Sequence, residues 1–381
     1  MTEHISMNTV RRQIFFWLGA LVVFILFLYV FRSVLLPFLA GLALAYFLDP
    51  LADLLERRGL SRVWATVTIL LVFLLLFTIA LVAVAPILSN QFTQFVESAP
   101  KLYEDLLALV QDLVARAPWL ATVLDQGNGD LSQSFNEVAT QAANVAGQLL
   151  RGVWSSANAV LSILGLLVVT PVVAFYMLLD WDKMVAKIDS WVPRDYVDDV
   201  RRIGREMNDA IAGFIRGQGT VCLLLALFYA TALSIAGLNF GLLIGLVAGL
   251  ISFIPYIGSI VGLVLSVGVA LVQYWPDAAT LATDGYTPSL ISIGIIAAIF
   301  FAGQLVEGNV LQPKLVGSSV GLHPVWLMFA LFAFGSLLGF TGMLIAVPAA
   351  AAVGVLVRFG LERYLDSDLY HGSGTADKSG D

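Results

Sequence analysis

From Leu315 to Val357 this chain carries no Lys, Arg, Asp or Glu, and between Arg216 and Lys314 it holds no base and only three acids, Asp277, Asp284 and Glu307. A soluble domain draws about a quarter of its residues from the charged types, so a desert of this length excludes one. Across all 381 residues only 12% are charged and 59% are hydrophobic, with a mean hydropathy of +0.89. The apolar residues form long unbroken runs, without the alternation of a membrane β-barrel. The fold class that follows is all-α, a polytopic helical membrane protein. An acid kept inside such a desert marks a place where the protein works.

The net charge of −7 is unevenly spread and offers no basic stripe for nucleic acid. The lone Cys222 lies in an apolar run, which leaves no disulfide framework and no cysteine metal site. A Walker loop, His-Glu-x-x-His and Gly-x-Ser-x-Gly are all missing, so no catalytic residue, metal or cofactor is expected. His4 and His371 lie in the tails; His323, beside Pro324, either titrates or opens a helix. The first apolar run, 14–31, follows Arg11 and Arg12 but exceeds a usual signal core and lacks a small-x-small cleavage site, which makes it a retained anchor.

Spans are expected at 14–31, 34–48, 64–88, 157–179, 218–236 and 289–310, since about 20 apolar residues cross the ~30 Å hydrocarbon core. Bases collect at Arg11 and Arg12, at Arg57, Arg58 and Arg62, and from Lys183 to Arg216, whereas 89–153 is acidic and 275–288 has no base. The positive-inside rule then puts both termini in the cytoplasm, with Arg32 in a tight outer turn as the one exception.

Two stretches do not fit single spans. Residues 239–274 are broken at Ile254-Pro255-Tyr256-Ile257-Gly258, and 323–357 at Gly335-Ser336-Leu337-Leu338-Gly339-Phe340-Thr341-Gly342. Each reads either as a re-entrant hairpin, the first entering from outside and the second from inside, or as a pair of short full crossings. Re-entrant hairpins, each behind its own helix, make an inverted repeat with a site near the midplane.

The expected organisation is N-terminal scaffold helices over 1–88, a small extracytoplasmic helical domain over 89–153, and a span with a cytoplasmic amphipathic segment over 154–216. A transport core over 217–357 and a cytoplasmic, largely disordered tail over 358–381 complete it. In the outer domain Leu102, Leu106, Leu109 and Leu113 form a helical stripe, 126–130 a turn and 131–152 a second helix. This domain is an oligomer contact, a cap or a spacer.

The densest polar cluster of the membrane half is Gln304-Leu-Val-Glu307-Gly-Asn309-Val-Leu-Gln312-Pro313-Lys314. Gln304 and Glu307 share a helix face, and Pro313 is expected to end the helix. A buried carboxylate must be paired, protonated or facing water. Either Glu307 binds a proton or cation reversibly, or it reaches the interface and pairs with Lys314. Gly241, Gly245 and Gly249, spaced by four, let helices pack closely or slide. Pro255 frees carbonyls at the tip that suit a cation or polar solute.

The run from Gln304 to Pro324, with Gly335, Gly339, Gly342 and Ala346-Val347-Pro348 after it, resembles the signature of the AI-2E transporter family, as do Phe253–Gly258 and Ile215-Arg-Gly-Gln218. The resemblance covers nearly the whole chain and is strongest over 215–357. It implies transport without a nucleotide-binding domain, in a family associated with export of autoinducer-2 and, for other members, with Na⁺(Li⁺)/H⁺ antiport. On this reading the chain is a homo-oligomeric secondary transporter of the bacterial inner membrane that exports a small polar solute by alternating access, coupled to H⁺ or Na⁺. The residues expected at the substrate or ion are Glu307, Gln304, Asn309, Gln312, Pro255, Tyr256 and Gly258. Those expected to pack or hinge are Gly241, Gly245, Gly249, Gly335, Gly339, Gly342 and Pro348. Na⁺(Li⁺)/H⁺ antiport and an uncoupled oligomeric channel are the rival readings.

Overall fold

The structure is a computed structural model that describes residues 15, 19, 22–23, 26–116, 157–255, 257–275, 287–317 and 321–371. Among the described residues every regular element is helical, and seven helices are long and apolar enough to cross a bilayer. The sequence's expectations for 117–156, which include the turn at 126–130 and the second outer helix, lie outside the described residues, as does Tyr256.

The helices are α1 Arg32–Arg57, α2 Arg62–Arg116, α3 Ala157–Trp191, α4 Val197–Ile235, α5 Gly241–Ile251, α6 Ile257–Tyr274 and α7 Thr287–Val306. A wide-turn segment Glu307–Val316, α8 Pro324–Leu365 and a single turn α9 Asp368–His371 follow. Several helices outrun the apolar runs inside them. α2 continues past 88 through Pro86 and Pro100 to Arg116, and α4 joins the basic amphipathic stretch to the span after it without a break. Backbone hydrogen bonding within a helix does not depend on the surrounding medium, so charge locates the membrane border and not the helix end. Arg32 also departs from expectation. Only Phe31 (φ −93°, ψ 9°) interrupts the helix, and the Phe31 N–H to Phe27 O and Val34 N–H to Phe31 O bonds, both 3.0 Å, carry the chain across it. Arg32 thus begins a helix and is not in a loop.

The chain divides into two compact units. The first comprises Met1–Val67, Leu164–Ile215 and Ser319–Asp381. In it the missing side chain of Gly41 admits Val173 of α3, where a Cβ would come within 2.6 Å, and Thr170 Oγ1 donates to Pro37 O at 3.2 Å. Arg62 ties the α1–α2 corner. Its guanidinium reaches Asp53 at 2.6 Å, Asp49 at 2.8 Å and Glu56 at 3.3 Å, and donates to Leu178 O at 2.8 Å. Arg202 and Arg363 lie 5.4 and 5.5 Å from the centre of the Phe359 ring, and Arg363 also pairs with Asp199. α8 doubles back at Gly339, whose φ of 63° and ψ of −141° only glycine adopts without strain. A Cβ on Gly342 would lie 2.6 Å from the Phe334 carbonyl carbon, and one on Gly354 would lie 2.9 Å from Leu322. A straight helix holds those pairs about 12 and 48 Å apart, so 324–338 and 340–365 form a helical hairpin.

The second unit comprises Thr68–Ile163 and Arg216–Ser318. Here α5 and α6 form a hairpin about Ser252–Pro255. Its open end is clamped by Gln273, which accepts from Asn239 N–H at 2.7 Å and donates to Gly237 O at 2.7 Å. α5 lies antiparallel on α4 along a backbone seam. Gly241, Gly245 and Gly249 face Leu233, Ala230 and Ala226, with no room for a side chain at any of the three. α7 closes the bundle against α6 and α4, with Phe300 and Ile296 each 1% exposed.

Candidate functional site

The second unit brings three broken or irregular backbones around one buried amide. Gln218 lies in the apolar half of α4, and its side chain is 1% exposed. Its Nε2 donates to the Ser252 carbonyl at 2.6 Å, and its Oε1 accepts from Gln312 Nε2 at 3.2 Å. Ser252 closes α5, so its carbonyl lies where the helix stops at the hairpin tip. Ser252 Oγ donates back to Ala248 O at 2.9 Å, which satisfies the side chain locally. Gly258, on the returning limb, lies directly on the Ser252 backbone, where a Cβ would overlap it. Pro255 is partly exposed at the tip.

The wide-turn segment supplies the other partner. Gly317 N–H bonds Gln312 O at 2.9 Å, a five-residue closure. Pro313 does not end the helix, which corrects the sequence expectation. A wider turn relieves the clash between a proline ring and the carbonyl of the preceding turn, and the missing N–H costs nothing where α-type bonding has lapsed. The helix stops instead at Gly317, at φ 55° and ψ −141°.

Glu307 opens this segment and is half-buried. Gln304 Nε2 donates to its Oε2 at 2.9 Å, and the Gln312 amide is close enough to act on the same carboxylate. The carboxylate is therefore held by amides; pairing with Lys314, the alternative open from the sequence, is not formed among the described residues. Asn309 is turned away from this row, with Nδ2 donating to Leu305 O of its own helix at 2.9 Å. Gly335, Gly339, Gly342 and Pro348 all belong to the α8 hairpin of the first unit, with Gly335 3.0 Å from Met343 by its would-be Cβ and Pro348 within the second limb. His323 caps α8, its Nδ1 accepting from Val325 N–H at 3.3 Å.

Three participants were not singled out by sequence reasoning. Gln218 entered only through a resemblance, though a lone amide in a charge-free span is itself a signal. Tyr229 and Gly303 gave none. Tyr229 is fully buried and stacked on Phe300, with centroids 4.3 Å apart and planes at 13°. Its ring occupies the space a Cβ on Gly303 would need.

Residues 18–362 match the family model described as AI-2E family transporter. The chain is 26% identical over 362 residues to YrrI of Bacillus subtilis (strain 168), a protein whose name assigns it provisionally to transport, covering 91% of this chain and 96% of that one. It is 27% identical over 330 residues to PerM of Escherichia coli (strain K12), provisionally named a permease, covering 87% and 88%. The AI-2 transport protein TqsA of Escherichia coli (strain K12) is 25% identical over 352 residues, covering 92% of each chain. A match running through both helical hairpins and the amide row makes this chain a member of the AI-2E family of membrane transport proteins.

Proposed function

We propose that this chain is a secondary transporter of the bacterial cytoplasmic membrane, exporting a small polar solute by alternating access with Glu307 coupled to H⁺ or Na⁺. The observation that carries this is a carboxylate held by the Gln304 and Gln312 amides beside a broken helix. Amide dipoles follow a carboxyl group through loss or gain of a proton or cation, whereas an ion pair would have to break first. The name of TqsA supports autoinducer-2 as the solute to try first.

The α5–α6 hairpin then enters from outside and the α8 hairpin from the cytoplasm, each turning back near the midplane. On this reading the side bearing Arg57, Arg58, Arg62 and the bases from Lys183 to Arg216 is cytoplasmic, and the bases Arg358 and Arg363 support the same side for the carboxyl-terminal end. α1, the apolar part of α2 and the outer domain over 89–153 serve as scaffold and homo-oligomer contacts. Gln304, Gln312, Pro255, Tyr256 and Gly258 border the solute path, with Asn309 joining when it leaves Leu305.

The test is efflux of autoinducer-2 from vesicles reconstituted with wild type or Glu307→Gln, with and without pH and Na⁺ gradients. Gradient-driven efflux is expected to fall at least about tenfold in the variant, roughly 1.4 kcal/mol in coupling. Wild-type rates with unchanged pH and Na⁺ dependence would refute the coupling role. The same carboxylate also fits Na⁺(Li⁺)/H⁺ antiport, in which it is the exchanged-ion site. Proton release on adding Na⁺ or Li⁺ to dye-loaded vesicles, without autoinducer-2, selects that reading. Large single-channel currents in planar bilayers would replace both with an uncoupled pore.

A further inference from the structure

Ser252 ends α5, so its carbonyl is a helix-end acceptor that no further turn of that helix satisfies. Gln218 satisfies it, with Nε2 at 2.6 Å, from a side chain only 1% exposed. A carbonyl oxygen accepts and never donates, so this bond admits a single sense of the Gln218 amide, N–H₂ to the hairpin tip and oxygen away. That oxygen faces Gln312 at 3.2 Å, and by the same reasoning Gln312 presents its N–H₂ there. One backbone carbonyl thus fixes the sense of two amides in a row.

The wide turn decides where the second amide lies. At 100° per residue an α-helix carries the fifth residue on to about 140° away, whereas five-residue closure brings it back over the first. Glu307 opens the wide-turn segment and Gln312 is the fifth residue after it, so the two share a face. One N–H of Gln312 goes to Gln218, and the other remains for the carboxylate. The segment is also seated on α4 beside Gln218, because Gly217 has no side chain and a Cβ there would lie 2.9 Å from Val316 Cα.

We propose that Gln218 is a positioning residue that links the α5–α6 tip to Glu307. With the tip seated it holds the Gln312 N–H₂ on the Glu307 face, and when the tip leaves, both amides are free to turn. This rests on the coupling role proposed for Glu307. An ionised Glu307 needs amide donors and so favours the seated tip. A protonated or cation-bound Glu307 does not, and releases the tip more readily. The dependence is reciprocal, a seated tip favouring the ionised carboxylate in equal measure. Among the described residues, the other titratable groups on the packed elements are few. α4 carries Arg216, Cys222 and Tyr229 after its basic amphipathic half, the wide-turn segment adds Lys314, and α6 has Tyr274 at the far end of the hairpin. α5 and α7 have none, and α2, which meets α5 at Gln91, has none from Val63 to Val96.

The test is the rate at which a membrane-permeant maleimide labels Pro255→Cys in a Cys222→Ala background, on the full chain in phospholipid vesicles at one alkaline pH. Glu307→Gln, which makes that position neutral, is expected to raise the rate about fivefold or more, the lower end of ordinary coupling between sites. In a Gln218→Met background, which keeps the length but has no N–H to give, the same substitution is expected to change nothing. A packing role alone would shift labelling in both backgrounds together and leave the Glu307 effect intact. An equal Glu307 effect with and without Gln218, or none with Gln218 present, overturns the role of Gln218. Should Gln218→Met not fold, Gln312→Met cuts the same link at its half-buried end, leaves Ser252 its donor, and is held to the same outcomes. Gradient-driven efflux keeps the two readings apart. If it falls in Glu307→Gln while the labelling effect is equal in both backgrounds, coupling stands and only the role of Gln218 is lost; efflux at the wild-type rate removes both.

Discussion

Glycine in this chain has two different jobs, and the space around each tells them apart. At Gly245 a Cβ would overlap the backbone of Ala230, while at Gly268 there is nothing within 4 Å. Gly245→Ala is therefore expected to lower unfolding stability in detergent by about 2 kcal/mol or more. Gly268→Ala is expected to be neutral or to raise it by about 0.5–1 kcal/mol through helix propensity. Thermal unfolding of the two variants side by side checks both. Residues of the first kind were only partly visible in the sequence. The four-residue spacing of Gly241, Gly245 and Gly249 announced a packing face, but Gly303, pressed on Tyr229 of a distant segment, has no glycine three or four positions away. Glu307 and Gln304 stood out because little else there is polar. Gln218 and Tyr229 did not, because their partners lie 94 and more than 70 positions away and meet only when α4 and α7 run antiparallel.

Elements were legible where a breaker interrupts an apolar run. Pro255 stands at the tip between α5 and α6, and Gly339 at the reversal within α8. Ends were not legible where the breaker is absorbed. Pro86 and Pro100 lie inside α2, and Pro313 inside a turn wide enough to hold it. Gly339 is the sharper case, since one residue at positive φ reverses a 42-residue helix. Gly339→Ala is expected to cost about 1–3 kcal/mol in strain. The readout is faster proteolysis at the α8 tip with the melting of α7 unchanged. Equal protection of wild type and variant would show that the reversal tolerates an ordinary residue.

On the scale of the molecule, charge patterning gave the membrane class and most spans, but not the grouping of helices. The expected transport core over 217–357 is distributed between the two compact units, with 217–318 in one and 319–357 in the other. Grouping is set by which helices interlock through small residues, and a linear pattern does not encode that. The re-entrant reading of both hairpins makes a direct prediction in a Cys222→Ala background. Pro255→Cys is expected to resist an impermeant thiol reagent added from the cytoplasmic side, and Leu338→Cys one added from outside. Strong labelling of either from that opposite face would make its hairpin a pair of full crossings.

The reach of α2 bears on the space beyond the membrane. Its 55 residues make a rod about 82 Å in contour at 1.5 Å per residue, of which the hydrocarbon takes up only ~30 Å. Roughly 50 Å exceeds the hydrocarbon, and its start is braced on the amino-terminal end of α5, where Gln91 Oε1 accepts from Leu243 N–H at 3.0 Å and the Phe95 ring meets Phe240 edge-on with centroids 5.4 Å apart. One helix thus bridges two media, uncharged from Val63 to Val96 and carrying Glu97, Lys101, Glu104 and Asp105 beyond it.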